Sequence, residues 1–156
     1  LGQFQYAKFL GEKAGQLIFR TNLQYTNDPL FTMEQYAVGG ALSVRGYRQN
    51  TLVRDRAYDL SLEYRYPLMK DASGRNILAL APFVDAGGGN NNVLPNGPNP
   101  DFISSAGLGV RWDPTPKVHA QLYWGYAFDD TITGDISSIQ DDGIHFLLSA
   151  NLLEWI

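Results

Sequence analysis

Residues 57–66 read AYDLSLEYRY, and the alternation in this stretch decides the fold. Tyr58, Leu60, Leu62, Tyr64 and Tyr66 fall on one face of an extended chain, and Asp59, Ser61, Glu63 and Arg65 on the other. Successive side chains of a strand point to opposite sides, so this period of two specifies a strand with one dry face and one wet face. The same period recurs on both sides of it. In QLIFRTNLQY, Leu17, Phe19, Leu23 and Tyr25 oppose Gln16, Arg20, Asn22 and Gln24. In VHAQLYWGYAF, Val118, Ala120, Leu122, Trp124, Tyr126 and Phe128 oppose His119, Gln121 and Gly125. Gln3–Leu10, Ile77–Gly87, Phe102–Trp112 and Ile144–Leu153 also read as strands, which makes seven; no segment reads as a helix.

Most of these strands run to about 9–11 residues, the length a tilted strand needs to cross a bilayer, whereas strands of soluble proteins run to about 5–6. The connections alternate strictly. GEKAG (11–15), 69–76 and DPTPK (113–117) are short; 27–56, 88–101 and 129–142 are long. Short turns at one end and long loops at the other are the pattern of an antiparallel outer-membrane barrel, with the turns periplasmic and the loops outside. A soluble sandwich or lipocalin-like barrel also alternates, but its apolar face is the inner one. The apolar faces here carry aromatic residues near the strand ends, Tyr58, Tyr66, Trp112, Phe128 and Trp155, as expected of the girdles at a membrane interface.

With the last strand running inward, the chain ends in the periplasm and residue 1 lies on the outer side. Bacterial single-chain barrels have an even number of strands. Seven therefore predicts an eighth strand not visible in the pattern, or a chain that is a portion of a larger barrel.

Composition narrows the function. The 156 residues carry a net charge of −4, which lacks the basic excess that nucleic acid attracts. The absence of cysteine excludes disulfides and thiolate metal sites. No apolar run approaches the roughly 20 residues of a spanning helix. The opening LGQFQYAKFL lacks the basic head and apolar core of a signal peptide.

His119 and His145 fall on polar faces of different strands with no third ligand at a suitable spacing, so no metal site is expected. GGGNNN (87–92) has neither the lysine nor the following helix of a phosphate loop and reads as a flexible outer loop. The acid-rich 129–142 has no EF-hand spacing. Ser104, Ser105 and Ser149 sit in no catalytic motif, and neither an enzyme activity nor a cofactor is expected.

The longest loop holds EQYAVGGALSVRGYRQN, residues 34–50. Together with PFVDAGGG (82–89), SAGLGVRW (105–112), AQLYWGYAF (120–128) and QDDGIHFLL (140–148), it resembles the hemolysin-activator, or two-partner secretion, transporters. Their wider superfamily includes the BamA-type barrel insertases. The resemblance runs from about residue 34 to the C-terminus, with the motifs in the family's order.

The resemblance implies the C-terminal part of a sixteen-stranded transmembrane barrel, whose periplasmic POTRA domains and first strands are not in these residues. It implies that loop 27–56 folds into the lumen, and that Arg45 in the tip Val44, Arg45, Gly46, Tyr47 pairs with Asp85 of the F-x-D-x-G strand. Phe83 and Gly87 of that strand, Arg111 of GLGVRW and Glu63 of SLEYRYP would support the pair. The alternation agrees on one point: Leu78, Leu80, Val84 and Ala86 form the apolar face of 77–87, which puts Asp85 and Phe83 on the wet one. Gly39, Gly40 and Gly46 suit a loop that must reverse within a barrel.

Two features depart from expectation. RDRA (54–57) replaces the Gly or Asn that the family usually carries after the aspartate, and Pro82 within a strand predicts a bulge or local weak pairing. The implied work is export of an unfolded exoprotein to the bacterial cell surface. The alternatives are a BamA-type insertase acting on nascent barrels, or a small barrel completed by a second copy. The expected surroundings are a lipid bilayer, the missing strands and POTRA domains or that second copy, and no nucleic acid.

Overall fold

The computed structural model describes residues 1–11, 15–93, 95–132 and 138–151. Among these described residues there are nine strands: β1 (Gly2–Phe9), β2 (Gln16–Gln24), β3 (Tyr36–Val38), β4 (Leu52–Arg54), β5 (Arg56–Lys70), β6 (Asn76–Asn90), β7 (Phe102–Thr115), β8 (Val118–Ala127) and β9 (Ile144–Ala150). Seven of them form one sheet in the order β1-β2-β5-β6-β7-β8-β9, with every neighbouring pair antiparallel. The sheet is open, with β1 and β9 at its edges.

The register makes the two faces explicit. Tyr6, Phe19, Leu62, Val84, Ala106 and Tyr126 are successive cross-strand partners along one row. The adjacent row, on the opposite face, is Gln5, Arg20, Ser61, Asp85, Ser105 and Ala127. Burial is the reverse of that in a soluble sheet. Tyr58, Leu60, Leu62, Val84, Trp112 and Trp124 are exposed, while Asp59, Ser61, Glu63, Asp85, Ser105 and His145 are buried. An apolar surface this continuous calls for a non-aqueous neighbour, and alternation with the apolar side outward is what a lipid-facing wall requires.

The polar face is buried because loop 27–56 lies on it. Within the loop, β3 and β4 pair as Tyr36↔Arg54 to Val38↔Leu52. Val38, Val44, Tyr47 and Leu52 pack with Ala57 of β5 and Ile103 of β7 into a small apolar core between loop and sheet. Fully burying a side chain such as Val, Leu or Ile contributes ~1.5–3 kcal/mol each. Hydrophobic burial thus seats the loop, and polar contacts orient it.

Several elements differ from the sequence reading. The β3–β4 pair lies inside the expected long loop, because two three-residue runs, YAV and LVR, are too short to display a period. The strand ends at 69–76 extend further than expected: Asp71 accepts the N–H groups of Ser73 and Arg75 (3.0 and 2.9 Å) and closes a tight turn that lets Lys70 pair with Asn76. Likewise β7 continues to Thr115, which pairs with Val118.

The glycine-rich 87–90 is strand, not flexible loop; β6 runs to Asn90. Beyond it, Asn91 and Asn92 are tied to Asp55, whose carboxylate accepts the N–H of Asn92 at 2.8 Å. The bulge expected at Pro82 lies instead between Pro67 and Lys70. At Pro82 there is local weak pairing without a bulge: the β5–β6 ladder passes from Glu63↔Phe83 to Tyr66↔Leu80 in the same register with no pair at Pro82 or Ala81, while Leu108 remains the β7 partner of Pro82. The centre of the turn at 11–15, the outer part of loop 129–142, the end of the strand expected to reach Leu153, and Trp155 lie outside the described residues.

Candidate functional site

Ser61 and Asp85 are cross-strand partners, and so are Glu63 and Phe83, two residues along the same ladder. Period two therefore sets two carboxylates, a hydroxyl and an aromatic ring on one patch of the polar face. Arg45 enters this patch from the loop and is 3% exposed. Its Nε donates to Asp85 Oδ2 at 2.7 Å and its Nη2 to Asp85 Oδ1 at 2.8 Å, the two-pronged geometry that matches guanidinium to carboxylate. Its Nη1 donates to Glu63 Oε2 at 2.5 Å and its Nη2 to Ser61 Oγ at 3.1 Å. The Arg45 backbone N–H donates to Asp85 Oδ2 as well, at 3.1 Å, so the carboxylate fixes main chain and side chain together.

The flat faces of the guanidinium are covered by the rings of Phe83, 3.7 Å away, and Tyr123 of β8, 4.6 Å away. The two rings meet edge to face. Burial by itself disfavours the charge on Arg45, but its bonds to Asp85 and then Glu63 outweigh that and raise its pKa above the ordinary arginine value. The group is a permanent cation.

Glu63 is fully buried and is the centre of the network rather than its margin. Besides Arg45 it accepts from Arg65 Nε at 2.6 Å and Tyr123 Oη at 3.1 Å, and Arg20 Nη2 lies 3.6 Å away. Arg111 stands one step removed, donating to Tyr123 Oη at 3.4 Å. Asp85 differs from Glu63 in having Arg45 alone as an ion-pair partner among the described residues.

The residues flanking Arg45 seat the tip. Gly46 has φ of +97°, and its N–H donates to Nε2 of His145 at 3.1 Å. The tip lies so close to β8 that a Cβ on Gly125 would come within 2.7 Å of Gly46 N. Val44 packs beside Val38 over Gly87, where a Cβ would lie 2.7 Å from Val38 Cγ1 and 3.1 Å from Val44 Cγ2. Tyr47 Oη donates to the Ser104 carbonyl at 2.8 Å and accepts the Asp129 N–H at 2.9 Å, bridging the ends of β7 and β8.

Beyond the tip, Arg48 forms a two-pronged pair with Asp141, and the Gln49 N–H donates to Gln140 Oε1 at 3.0 Å. The hydrogen bond from Arg48, then that from the Ser138 N–H, draws the Asp141 carboxyl down to about 2. A depressed pKa means that this tie contributes above the ordinary aspartate value and is lost as the pH falls through about 2. At pH 3.5, pepsin should cut loop 129–142 faster in Arg48→Ala than in the unaltered protein, and at pH 1.5 the two should converge. Equal cleavage at pH 3.5 would exclude a holding role for Arg48.

The two histidines are apart and separately engaged: His119 Nδ1 bonds Asp113 at 2.7 Å, and His145 accepts from the loop. Sequence reasoning did not single out Ser61, Tyr123, Gly125 or Arg48. Ser61 shares the face of Glu63 and was legible from period alone. Tyr123, an aromatic residue on the polar side of an otherwise regular strand, breaks the alternation, and that break was its signal. Nothing local marks Gly125 or Arg48, because their partners lie about 80–90 residues away, on the loop tip and in loop 129–142.

Solved structures with this arrangement of strands include CdiB from Acinetobacter baumannii, with a TM-score of 0.65 and 19% identity over 95% of this chain and 26% of that one. BamA from Haemophilus ducreyi lacking POTRA domains 1–3 is also similar, with a TM-score of 0.67 and 16% identity over 94% of this chain and 34% of that one. The chain thus spans well under half the length of either. No curated protein matches it by sequence. The likeness identifies the open sheet as a stretch of β-barrel wall. Residues 2–149 match the Omp85 superfamily domain, and the chain belongs to that superfamily.

Proposed function

We propose that the chain is the C-terminal part of a sixteen-stranded bacterial outer-membrane barrel that passes an unfolded partner protein to the cell surface, with loop 27–56 held in the lumen by Arg45. The observation that carries this reading is the reach of Arg45 from the loop to Asp85 and Glu63 on the inner wall. A loop bound only by apolar contacts could settle in many positions; a two-pronged ion pair admits one. The pair then sets the free cross-section of the lumen, and movement of the polypeptide needs no nucleotide or cofactor. The partners are the lipid bilayer around the apolar face, the secreted protein within, the preceding strands that complete the wall, and the periplasmic POTRA domains.

A second reading, an insertase that acts on nascent barrels, is supported by the Omp85 superfamily match and the likeness to BamA from Haemophilus ducreyi. The two readings separate in proteoliposomes carrying the full-length protein. Under the transport reading, a large secreted protein whose gene lies beside this one becomes protease-accessible on the far side when supplied as cargo, and an unfolded eight-stranded barrel added in parallel inserts no faster than into empty liposomes. Accelerated barrel insertion without export would reject transport in favour of the insertase.

A further inference from the structure

Between the loop tip and the sheet lies a cavity of about 270 Å³. The guanidinium-bearing residues Arg20, Arg45 and Arg111 line it, and among the described residues no carboxylate-bearing one does. Arg45 is committed to Asp85, Glu63 and Ser61. The other two are not. Among the described residues, Arg20 has only the 3.6 Å approach to Glu63, an oxygen that Arg45 already holds, and Arg111 has only the 3.4 Å bond to Tyr123 Oη. Gln121, the cross-strand partner of Arg111, stands beside it on the same face, and its amide has no hydrogen bond among the described residues. The rest of the lining includes Leu42 from the loop and Leu147 from β9.

We propose that Arg111, Arg20 and Gln121 form a subsite for a carboxylate side chain of an extended polypeptide in the lumen, with Leu42 and Leu147 receiving an apolar neighbour of that residue. The chemistry follows from the donors. A guanidinium with most of its N–H groups free binds a carboxylate in two-pronged fashion, and an amide at its side donates to the remaining lone pairs. The three guanidiniums at the cavity outnumber the two carboxylates behind it, Glu63 and Asp85, and the positive excess is offset when an anion enters. The site rests on the transport reading for its ligand. It makes the lumen selective, slowing an acidic-apolar segment at the loop tip, where the Arg45 pin is within reach.

The probe is a fluorescent blocked pentapeptide, Gly-Leu-Glu-Leu-Gly, titrated against the full-length protein in nanodiscs, with the peptide bearing Gln in place of Glu as its control. The Glu peptide should bind about tenfold tighter. Arg111→Gln and Arg20→Gln should each erode the preference, and the double variant should abolish it, with the barrel's heat-modifiable mobility on gels unchanged. A hundredfold excess of acetate should not displace the peptide; displacement would reduce the site to one for free anions and overturn the polypeptide assignment. Equal binding of the two peptides, no binding of either, or an undiminished preference in the double variant would also overturn it. An exoprotein still exported by the double variant after its peptide preference is lost would remove the site's role in transport while leaving the transport reading standing. A preserved preference in a protein that exports nothing would do the reverse.

Discussion

Arg45→Ala should release loop 27–56 from the sheet and, under the transport reading, reduce export at least tenfold while the barrel stays inserted. The substitution removes both prongs on Asp85, the short bond to Glu63, the bond to Ser61 and the contact with two aromatic faces. Stripping the partner from a buried charge costs about 3–5 kcal/mol when water cannot reach it. Here the penalty falls unevenly. Glu63 keeps Arg65 at 2.6 Å and Tyr123 at 3.1 Å, whereas Asp85 loses the cation that neutralised it. The lowest-energy response is for the loop to lift and admit water to Asp85, so the loss should appear as loop exposure rather than unfolding of the sheet.

Trypsin should then cut after Arg48 or Arg54 in Arg45→Ala, sites that the seated loop protects. The double variant Arg45→Ala/Asp85→Ala should recover part of the protection, because no orphaned carboxylate remains, but should not recover export. Arg45→Lys should fall between, since a single ammonium cannot reproduce the fork that spans Asp85 and Glu63. Resistance to trypsin equal to that of the unaltered protein in Arg45→Ala would show that the apolar core of Val38, Val44 and Leu52 holds the loop without the ion pair.

These contrasts also show which parts of the molecule a sequence can display. Period two depends on nearest neighbours, so the seven wall strands and the inward side of Asp85, Phe83, Ser61 and Glu63 were legible. The pairing of Arg45 with Asp85 was legible only through resemblance, since nothing in the sequence between two residues 40 positions apart measures that distance. The relative weights of the supporting residues were not legible. Glu63 outranks Arg111 because the register sets it opposite Phe83, directly under the guanidinium, while Arg111 lies further down β7 and reaches the network through the Tyr123 hydroxyl. The hairpin of β3 and β4 was hidden for a related reason. Three-residue strands carry no period, and they exist here because Leu52 and Val38 find a floor in Ile103 and Ala57, residues about 20–65 positions away or just beyond the loop. The ends of β6 were hidden because a glycine run reads as loop wherever close approach by another element cannot be foreseen.

Gly125 makes the last point a second large prediction. It lies in an ordinary strand with no positive φ, so its need is for space alone. A Cβ there would stand 2.7 Å from Gly46 N, 2.9 Å from the Arg45 carbonyl carbon and 2.9 Å from Gly46 Cα, all backbone atoms that no rotamer change can move aside. Gly125→Ala must push the loop tip off β8. The tip cannot retreat alone: the Gly46 N–H would leave His145, and Arg45, fixed to Asp85 through its own N–H, would be drawn from the carboxylates.

The variant keeps each charged group of the network and should still reproduce much of the Arg45→Ala behaviour, with tryptic cleavage of the loop and export reduced several-fold; Gly125→Val should be more severe. If Gly125→Ala exported normally with its loop protected, the tip would have to tolerate a displacement that bonds of 2.7 and 2.8 Å to Asp85 do not allow, and the ion pair would lose its claim to set the position of the loop.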